Sequence, residues 1–488
     1  MHVTIINPNI VSQKGDFFGT GIPYMPFIPA VLAGYLREKH DAQVIDAFGL
    51  NPRRITHQDG FVIQGISVDE ILKRVPEHTD LICIFAGHVV EHNRIMAFLE
   101  AFRKARKAPV AVVENAQAVT AYSLRRAKDE FFKAGADFLV LGDPEYRVEA
   151  ILRHLKDEKF EDIDGILFKK DGKITENTSK GEITDLDALP FPAWDLFPLE
   201  NYWKLGYSHA PFQGKYIALL TSRGCPLVCK FCVVPATNKK RWNARSAEHV
   251  VAEMKHWIGK LGIRDFHIED LNPTTDRMRM KKICRLIIEQ KLDIKFKFAS
   301  GTKIETIDEE EMRLLGQAGC DYLSFSPESG SPAVLKLMNK QFNHAYAIRM
   351  TKLMQKLGIK SQACFVLGFP GETDGDLKQT KKYALVLARA GVDEIAMFIM
   401  TPVPGSEPFE NSMNTPQDLS KLTFSPTWSA NYKKLNSFRM RLYPRFMLTK
   451  LLFHPLKTLK EPFRMLTGKF DTKMEMTLYR VLKTQVLG

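Results

Sequence analysis

Cys225, Cys229 and Cys232 fall within eight positions of the stretch TSRGCPLVCKFCVVP, residues 221–235. The 488-residue chain has seven cysteines, and Cys83, Cys284, Cys320 and Cys364 stand alone. Seven scattered thiols do not make a disulfide framework for a chain of this length. A structural zinc site usually draws four protein ligands, commonly as two close pairs, and no second pair is present. The C-x3-C-x2-C spacing instead puts three soft thiolates on one short loop, the donor type that suits an iron–sulfur cluster. A four-iron cluster held by three thiolates leaves one iron open to a further ligand, and redox chemistry would take place there. Zinc, or no metal at all, are the alternatives.

Such a loop needs elements to hold it. From Gly214 onward the apolar runs YIALLTS, DFHIEDL, FKFASGT, YLSFSPES, ACFVLGF and EIAMFIMTP alternate with helical patterns at about 246–260, 276–290, 308–318, 343–357 and 374–390. Six strand–helix units over 214–410 predict a partial (β/α)6 barrel, with its chemistry at the carboxyl ends of the strands. The cysteine loop follows the first strand and so falls at that end. Residues 1–155 alternate in the same way, with strands HVTIINP, QVIDAF, LICIFAG, VAVVEN and DFLVLGD. Helices are expected between them at about 29–39, 68–76, 91–106 and 119–134. Uniformly apolar strands predict a doubly wound, Rossmann-like parallel sheet covered on both faces. Its candidate ligand loops are 8–26, 86–92, 114–118 and 142–146. Residues 156–213 read as a hairpin, DGILFKKDGKITEN, and a proline-rich linker. The fold class is α/β, closed by a basic helical region over 411–488.

The loop CPLVCKFC, with Phe231 just before its last cysteine, resembles the cluster loop of radical S-adenosylmethionine (SAM) enzymes, as do the six strand–helix units. The resemblance implies a [4Fe–4S] cluster on Cys225, Cys229 and Cys232, whose open iron takes the amino and carboxylate groups of SAM. One electron then cleaves the sulfonium bond, and a 5′-deoxyadenosyl radical removes hydrogen from an unactivated carbon. An external donor such as flavodoxin or ferredoxin is implied. Candidate SAM contacts carried over from the family are Phe231, Glu269 and Asp270 after the second strand, Ser300 after the third, and Glu328 and Ser329 in SPESGS after the fourth. Gly368, with Gly371, after the fifth completes them. Plain strand-end turns and caps are the alternative for these residues.

The stretch MPFIPAVLAGYLREKHDAQVIDA, residues 25–47, and GADFLVLGDPEY, residues 135–146, are similar to cobalamin-binding domains fused ahead of radical SAM barrels. That resemblance implies bound cobalamin near Gly87, Asn115 and Gly142, and methyl transfer to, or cyclisation or rearrangement at, a poorly reactive carbon. Two departures stand out. The Asp-x-His-x-x-Gly motif that supplies a cobalt-binding histidine is absent, and Glu114-Asn115 replaces a Gly-Gly. His88 and His92 flank the loop after LICIFAG and read as exposed loop histidines that could alternatively approach a cofactor. Cys320 and Cys364 read as buried core thiols.

The net charge of +13 is uneven: residues 433–488 hold thirteen Lys and Arg against three Asp and Glu, leaving only +3 for the rest. Basic residues interleaved with Phe, Leu and Met suit an anionic membrane surface and a hydrophobic or lipid-like substrate. The competing reading is a helical cap packed on the barrel, and nucleic acid is the less favoured partner. The uncharged run 17–36 reaches the length of a membrane span. Pro23, Pro26 and Pro29 break it, so a loop over 17–28 and a helix from about Pro29 are expected. No secretory leader is recognised, which fits a cytoplasmic protein, possible contact with the membrane's inner face aside. Three further classes stay open. One is a radical SAM enzyme whose first domain lacks cobalamin. Another is a methylthiotransferase, which normally carries three more cysteines ahead of the barrel. The last is a non-enzymatic nucleic-acid or metal-binding protein.

Overall fold

Five helices of the second alternation begin on a side chain that caps them. Ser246, Asp276, Asp308, Asn343 and Thr373 each accept a hydrogen bond from the backbone N–H three residues on. Each cap satisfies an orphan donor and is worth about 1 kcal/mol. The helices run Ala247–Leu261, Arg277–Glu289, Glu309–Gln317, His344–Leu357 and Asp374–Ala390, each within a residue of the expected span. These are features of a computed structural model that describes residues 1–16, 21–105, 107–179, 181–412 and 415–486. Residues 17–20 of the expected loop 17–28, residue 106 of the expected helix 91–106, residue 180 of the linker, and residues 413, 414, 487 and 488 of the C-terminal region lie outside that set.

The N-terminal strands are β1 (His2–Asn7), β2 (Ile10–Gln13), β3 (Asp41–Asp46), β4 (Ile55–Gln58), β5 (Phe61–Gln64), β6 (Leu81–Ala86), β7 (Val110–Glu114) and β8 (Phe138–Val140). The hairpin β9 (Ile166–Lys170) and β10 (Lys173–Glu176) follows. The main sheet has the order β10-β9-β8-β7-β6-β1-β3. Strands β3, β1, β6, β7 and β8 are parallel, and the hairpin adds antiparallel at the β8 edge. The strand order reverses at β1, where neighbouring crossovers leave on opposite faces and a crevice forms above the carboxyl ends. A separate antiparallel sheet, β2-β5-β4, is inserted between β1 and β6 and was not anticipated. The helix expected from Pro29 starts at Phe27, with Pro29 inside its first turn, where a missing N–H costs nothing. The helix expected over 119–134 is shorter: residues 119–123 are turn and coil, Leu124–Ala127 is a 3-10 turn, and only Lys128–Ala134 is α-helical.

The second sheet contains β11 (Tyr216–Leu219), β14 (Asp265–Ile268), β15 (Lys295–Thr302), β16 (Cys320–Glu328), β17 (Lys360–Leu367) and β18 (Glu394–Ile399). All six are parallel and in chain order, so β11 and β18 are its open edges. Between β11 and β14 lies a two-stranded ribbon, β12 (Ser222–Gly224) with β13 (Trp242–Ala244). Register shifts occur at the carboxyl ends of β15 and β16, between Phe298 and Thr302 and between Phe325 and Glu328. Bulges of this kind re-aim side chains beside functional sites.

Behind β16 the backbone of Gly330 runs against helix Asp374–Ala390. A Cβ there would lie 2.6 Å from both the Gln379 carbonyl oxygen and the Thr380 Cα. Backbone cannot yield as a side chain can, so Gly330→Ala should cost about 1–3 kcal/mol, read as a lower midpoint of chemical unfolding.

The C-terminal helices Tyr432–Phe453, Pro455–Thr458, Glu461–Thr467 and Lys473–Val481 lie across the open edge at β18. The first buries a stripe at helical spacing, Leu435, Arg439, Leu442, Phe446 and Lys450. Among the described residues no helix is long and apolar enough to cross a membrane.

Candidate active site

The cysteine loop leaves the tip of the β12–β13 ribbon. Gly224 sits there at φ +85°, and a Cβ on it would come within 2.2 Å of the Arg241 carbonyl oxygen, so only glycine fits. Gly224 N donates to Gln117 Oε1 of the N-terminal unit at 2.8 Å. On the far side Lys230 N donates to Met338 O at 3.0 Å, and Asn339 Nδ2 donates to Val228 O at 3.1 Å. Phe231 packs against Val334, Met338 and Phe369 and anchors the loop between these ties.

Cys229 is buried, and Cys225 and Cys232 are half-buried. Burial raises all three thiols, Cys232 to about 12. Lys340 and Lys303 act in the opposite sense on Cys225 and Cys229. Lys340 is buried with its Nζ 3.1 Å from Glu328 Oε1. Glu328 itself stands at φ +60°, an uncommon conformation for a residue with a side chain and a cost of order 1–3 kcal/mol.

Two residues ahead of Cys225, Arg223 bridges the two units. Its Nη1 donates to Asp143 Oδ1 at 2.8 Å and its Nη2 to Glu145 Oε1 at 2.7 Å. All three side chains are nearly inaccessible. Desolvation of the cation is offset by two carboxylates in charge-assisted geometry.

Between the carboxyl ends of the two sheets lies a cavity of about 1020 Å³. Its wall includes Cys225, Cys229, Cys232, Phe231, Glu269, Ser300 and Glu328 from the barrel, and Gly87 and Asn115 from the N-terminal loops. Asn115 Nδ2 donates to Gly87 O at 2.9 Å, joining those loops. Glu114 is buried. Its carboxylate accepts from Leu124 N and Gly142 N, both at 3.1 Å, while burial raises it to about 7. Glu114 therefore ties the loops after β7 and β8 together from below the cavity.

A line of polar rings crosses the cavity. Tyr24 lies between His88 and His209, with ring centroids 4.7 and 4.2 Å away. His209 Nδ1 is 2.6 Å from Glu269 Oε2. Lys473, from the last long helix, donates to Ala299 O at 2.5 Å and lies 3.3 Å from His209 Nε2. Glu394 caps that helix by accepting from Lys473 N and Met474 N. Burial lowers Lys473, His209 and His88, the last to about 4. The arrangement can orient a polar group while leaving the neighbouring wall of Met440, Tyr443, Met447 and Leu478 apolar.

Several expected contacts lie elsewhere. Asp270 is buried and accepts from Thr221 N, Thr221 Oγ1 and Ser222 Oγ, so it fixes the end of β11 and does not face the cavity. Ser329 is buried against Thr380, with the Oγ atoms 3.1 Å apart, and also accepts from Ser331 N. Gly368 and Gly371 take positive φ angles at a turn packed against Leu435 and Leu337 and do not line the cavity. Gly142 is covered by Glu182, whose carboxylate lies 2.5 Å from where a Cβ would be. Glu182 is held there by Arg147 and Asp143 N. His92 is not exposed: it is buried, with Tyr122 and Glu130 each 3.0 Å from its ring. His88 is half-buried and lines the cavity. Cys320 and Cys364 are buried, and Cys364 also faces the cavity beside Ser324 and Gln362.

His209, Tyr24, Lys340 and Lys473 were not anticipated. His209 lies at the end of the proline-rich linker and Lys473 in the basic tail, where neither has a motif around it.

Comparison with known proteins agrees with this layout. The family model of the radical SAM superfamily matches residues 219–384, from the end of β11 into helix Asp374–Ala390. The chain is 27% identical to an uncharacterized methyltransferase of Pyrococcus horikoshii, over 84% of this chain and 83% of that one. It is 26% identical to cytidylyl-2-hydroxyethylphosphonate methyltransferase of Streptomyces wedmorensis, over 83% and 80%. The fold is similar to that of the radical SAM methyltransferase TsrM from Kitasatospora setae, solved with cobalamin and a [4Fe–4S] cluster. The TM-score is 0.62 at 18% identity, over 83% of this chain and 73% of that one. A cysteine loop at the first carboxyl end of six parallel strand–helix units, matched by that family model, marks residues 219–384 as a radical SAM enzyme domain.

Proposed function

We propose that the chain is a cobalamin-dependent radical SAM methyltransferase acting on an unactivated carbon of a largely apolar substrate. The observation that carries this reading is the single cavity onto which the three cysteines and the carboxyl-edge loops of the N-terminal sheet both open.

The residues fit the groups. Cys225, Cys229 and Cys232 are soft donors on one loop, and Lys340 and Lys303 offset the negative charge their ligation brings. Glu269, Ser300 and Glu328 offer oxygen acceptors to the ammonium and hydroxyl groups of SAM, and Phe231 borders them. Gly87 and Asn115 form the open edge toward cobalamin, whereas Gly142, covered by Glu182, is withdrawn from it. When bound, the cluster supplies the electron for reductive cleavage of SAM and cobalamin supplies the methyl-transfer chemistry. This chain holds those groups in one frame, excludes water, and orients the substrate. Its polar end meets Lys473 and His209, and its apolar body lies along the methionines and leucines of the C-terminal helices. The two methyltransferase relatives match more than four-fifths of the chain and a cyclase relative about two-thirds, which supports transfer over ring closure.

Protein purified without oxygen from cobalamin-fed cells should carry about four irons and the visible absorbance of a corrinoid. With trideuteromethyl-SAM and a cell extract as substrate source, a product should gain one labelled methyl group. Iron with SAM cleavage but no corrinoid would leave a radical SAM enzyme whose first sheet is a scaffold. A ring closed without label would turn the reading to cyclisation, and absence of iron would end both.

A further inference from the structure

The exposed large apolar residues are not scattered. Eleven of the eighteen found among the described residues lie between Met440 and Leu482. Leu452 (69%), Leu456 (78%), Phe463 (68%) and Leu466 (87%) are almost fully out in solvent. Single exposed leucines need no explanation, but a concentration on consecutive short helices does.

The basic charge of this region divides in two. Arg439, Lys450, Lys457, Arg464, Lys473 and Arg480 are turned inward or held by acidic or carbonyl partners, so they serve packing. Lys433, Arg441, Arg445, Lys460, Lys469 and Lys483 are exposed, and no acidic residue of 433–486 is exposed among them; the remaining cation, Lys434, pairs with Asp374 of the barrel. On helix Tyr432–Phe453, Arg441, Arg445, Leu448 and Leu452 follow at helical spacing along the side away from the buried stripe. A face that is apolar, basic and free of acid complements an anionic lipid surface: cations meet headgroups while leucines enter the interface.

The position of this face gives it a use. Met440, Leu451, Leu459 and Leu478 are exposed and also line the cavity. The cavity therefore opens among the residues that would enter the interface.

We infer that the C-terminal helices dock the chain on an anionic phospholipid surface, with the cavity mouth turned toward the acyl region. A second copy of the chain is a weaker occupant, because two faces each carrying six unneutralised cations repel.

The test uses the full-length protein and needs no turnover. It should co-sediment with vesicles of equal phosphatidylglycerol and phosphatidylcholine and remain in the supernatant with phosphatidylcholine alone. The triple variant L456S/F463S/L466S should lose about tenfold or more in vesicle affinity, with unchanged iron content and thermal midpoint, because the three side chains are largely in solvent. High salt should weaken wild-type binding. Failure of the wild type to sediment, equal binding to both vesicle types, or full binding by the variant would each overturn docking. So would self-association that the triple variant abolishes, or retention by RNA, if either occurs without vesicle binding.

Discussion

Cys229→Ala protein, prepared and reconstituted without oxygen, should lack the brown absorbance of the cluster, hold essentially no iron, and release no methionine or 5′-deoxyadenosine from SAM. Cys225→Ala and Cys232→Ala should behave alike, because two remaining thiolates do not retain a four-iron cluster. The effect is total, since each cysteine is one of three on a loop that offers no fourth. Cys284→Ala is the control. That thiol is fully buried in helix Arg277–Glu289, away from the cavity, so its loss removes packing worth about 1 kcal/mol and leaves iron and colour in place. Iron quantitation, the visible spectrum and chromatography of the SAM products check all four proteins. A Cys229→Ala variant with wild-type iron would remove the basis of the reading.

The second large effect belongs to Arg223. Replacing it with leucine strands two buried carboxylates, Asp143 and Glu145, that it now neutralises. Breaking a buried pair from one side costs roughly 3–5 kcal/mol. The loss should appear as an early unfolding step in urea and as a weaker cluster, because Arg223 lies two residues from Cys225. Adding Glu145→Gln should recover part of the loss. A double variant no more stable than the single one would mean that the bridge is not what joins the units.

Much of the barrel is visible in the sequence. Its strands are largely buried and read as short runs rich in apolar residues, and the five long helices are announced by a capping side chain such as Asp308 or Thr373. The cluster loop is equally plain, since cysteine spacing is a local property. What escaped notice is what depends on distant contacts. Strands β2, β4 and β5 are four residues each and mostly polar in β4, so no period of two is long enough to register. The cavity contacts divide by the same rule. Glu269, Ser300 and Glu328 face the cavity because strand ends project into it, whereas Asp270 and Ser329, one residue further on, turn into the protein. A one-residue step reverses direction along a strand, and nothing local tells which neighbour turns in. Gly142 looked available because Glu182, forty residues later, cannot be seen above it. Lys473 carries no local signal, because only the tertiary path of the tail takes it to Ala299 and His209.

That path has a consequence for inheritance. The cysteine loop and the strand ends that line the cavity are complete by about residue 400, while its apolar wall is supplied by residues beyond about 430. A stop codon after about residue 430 would here delete one side of the chamber and flood it with solvent. Equally, relatives could diverge in what they accept by exchanging this terminal cassette while their iron-binding and nucleoside-facing parts stay untouched.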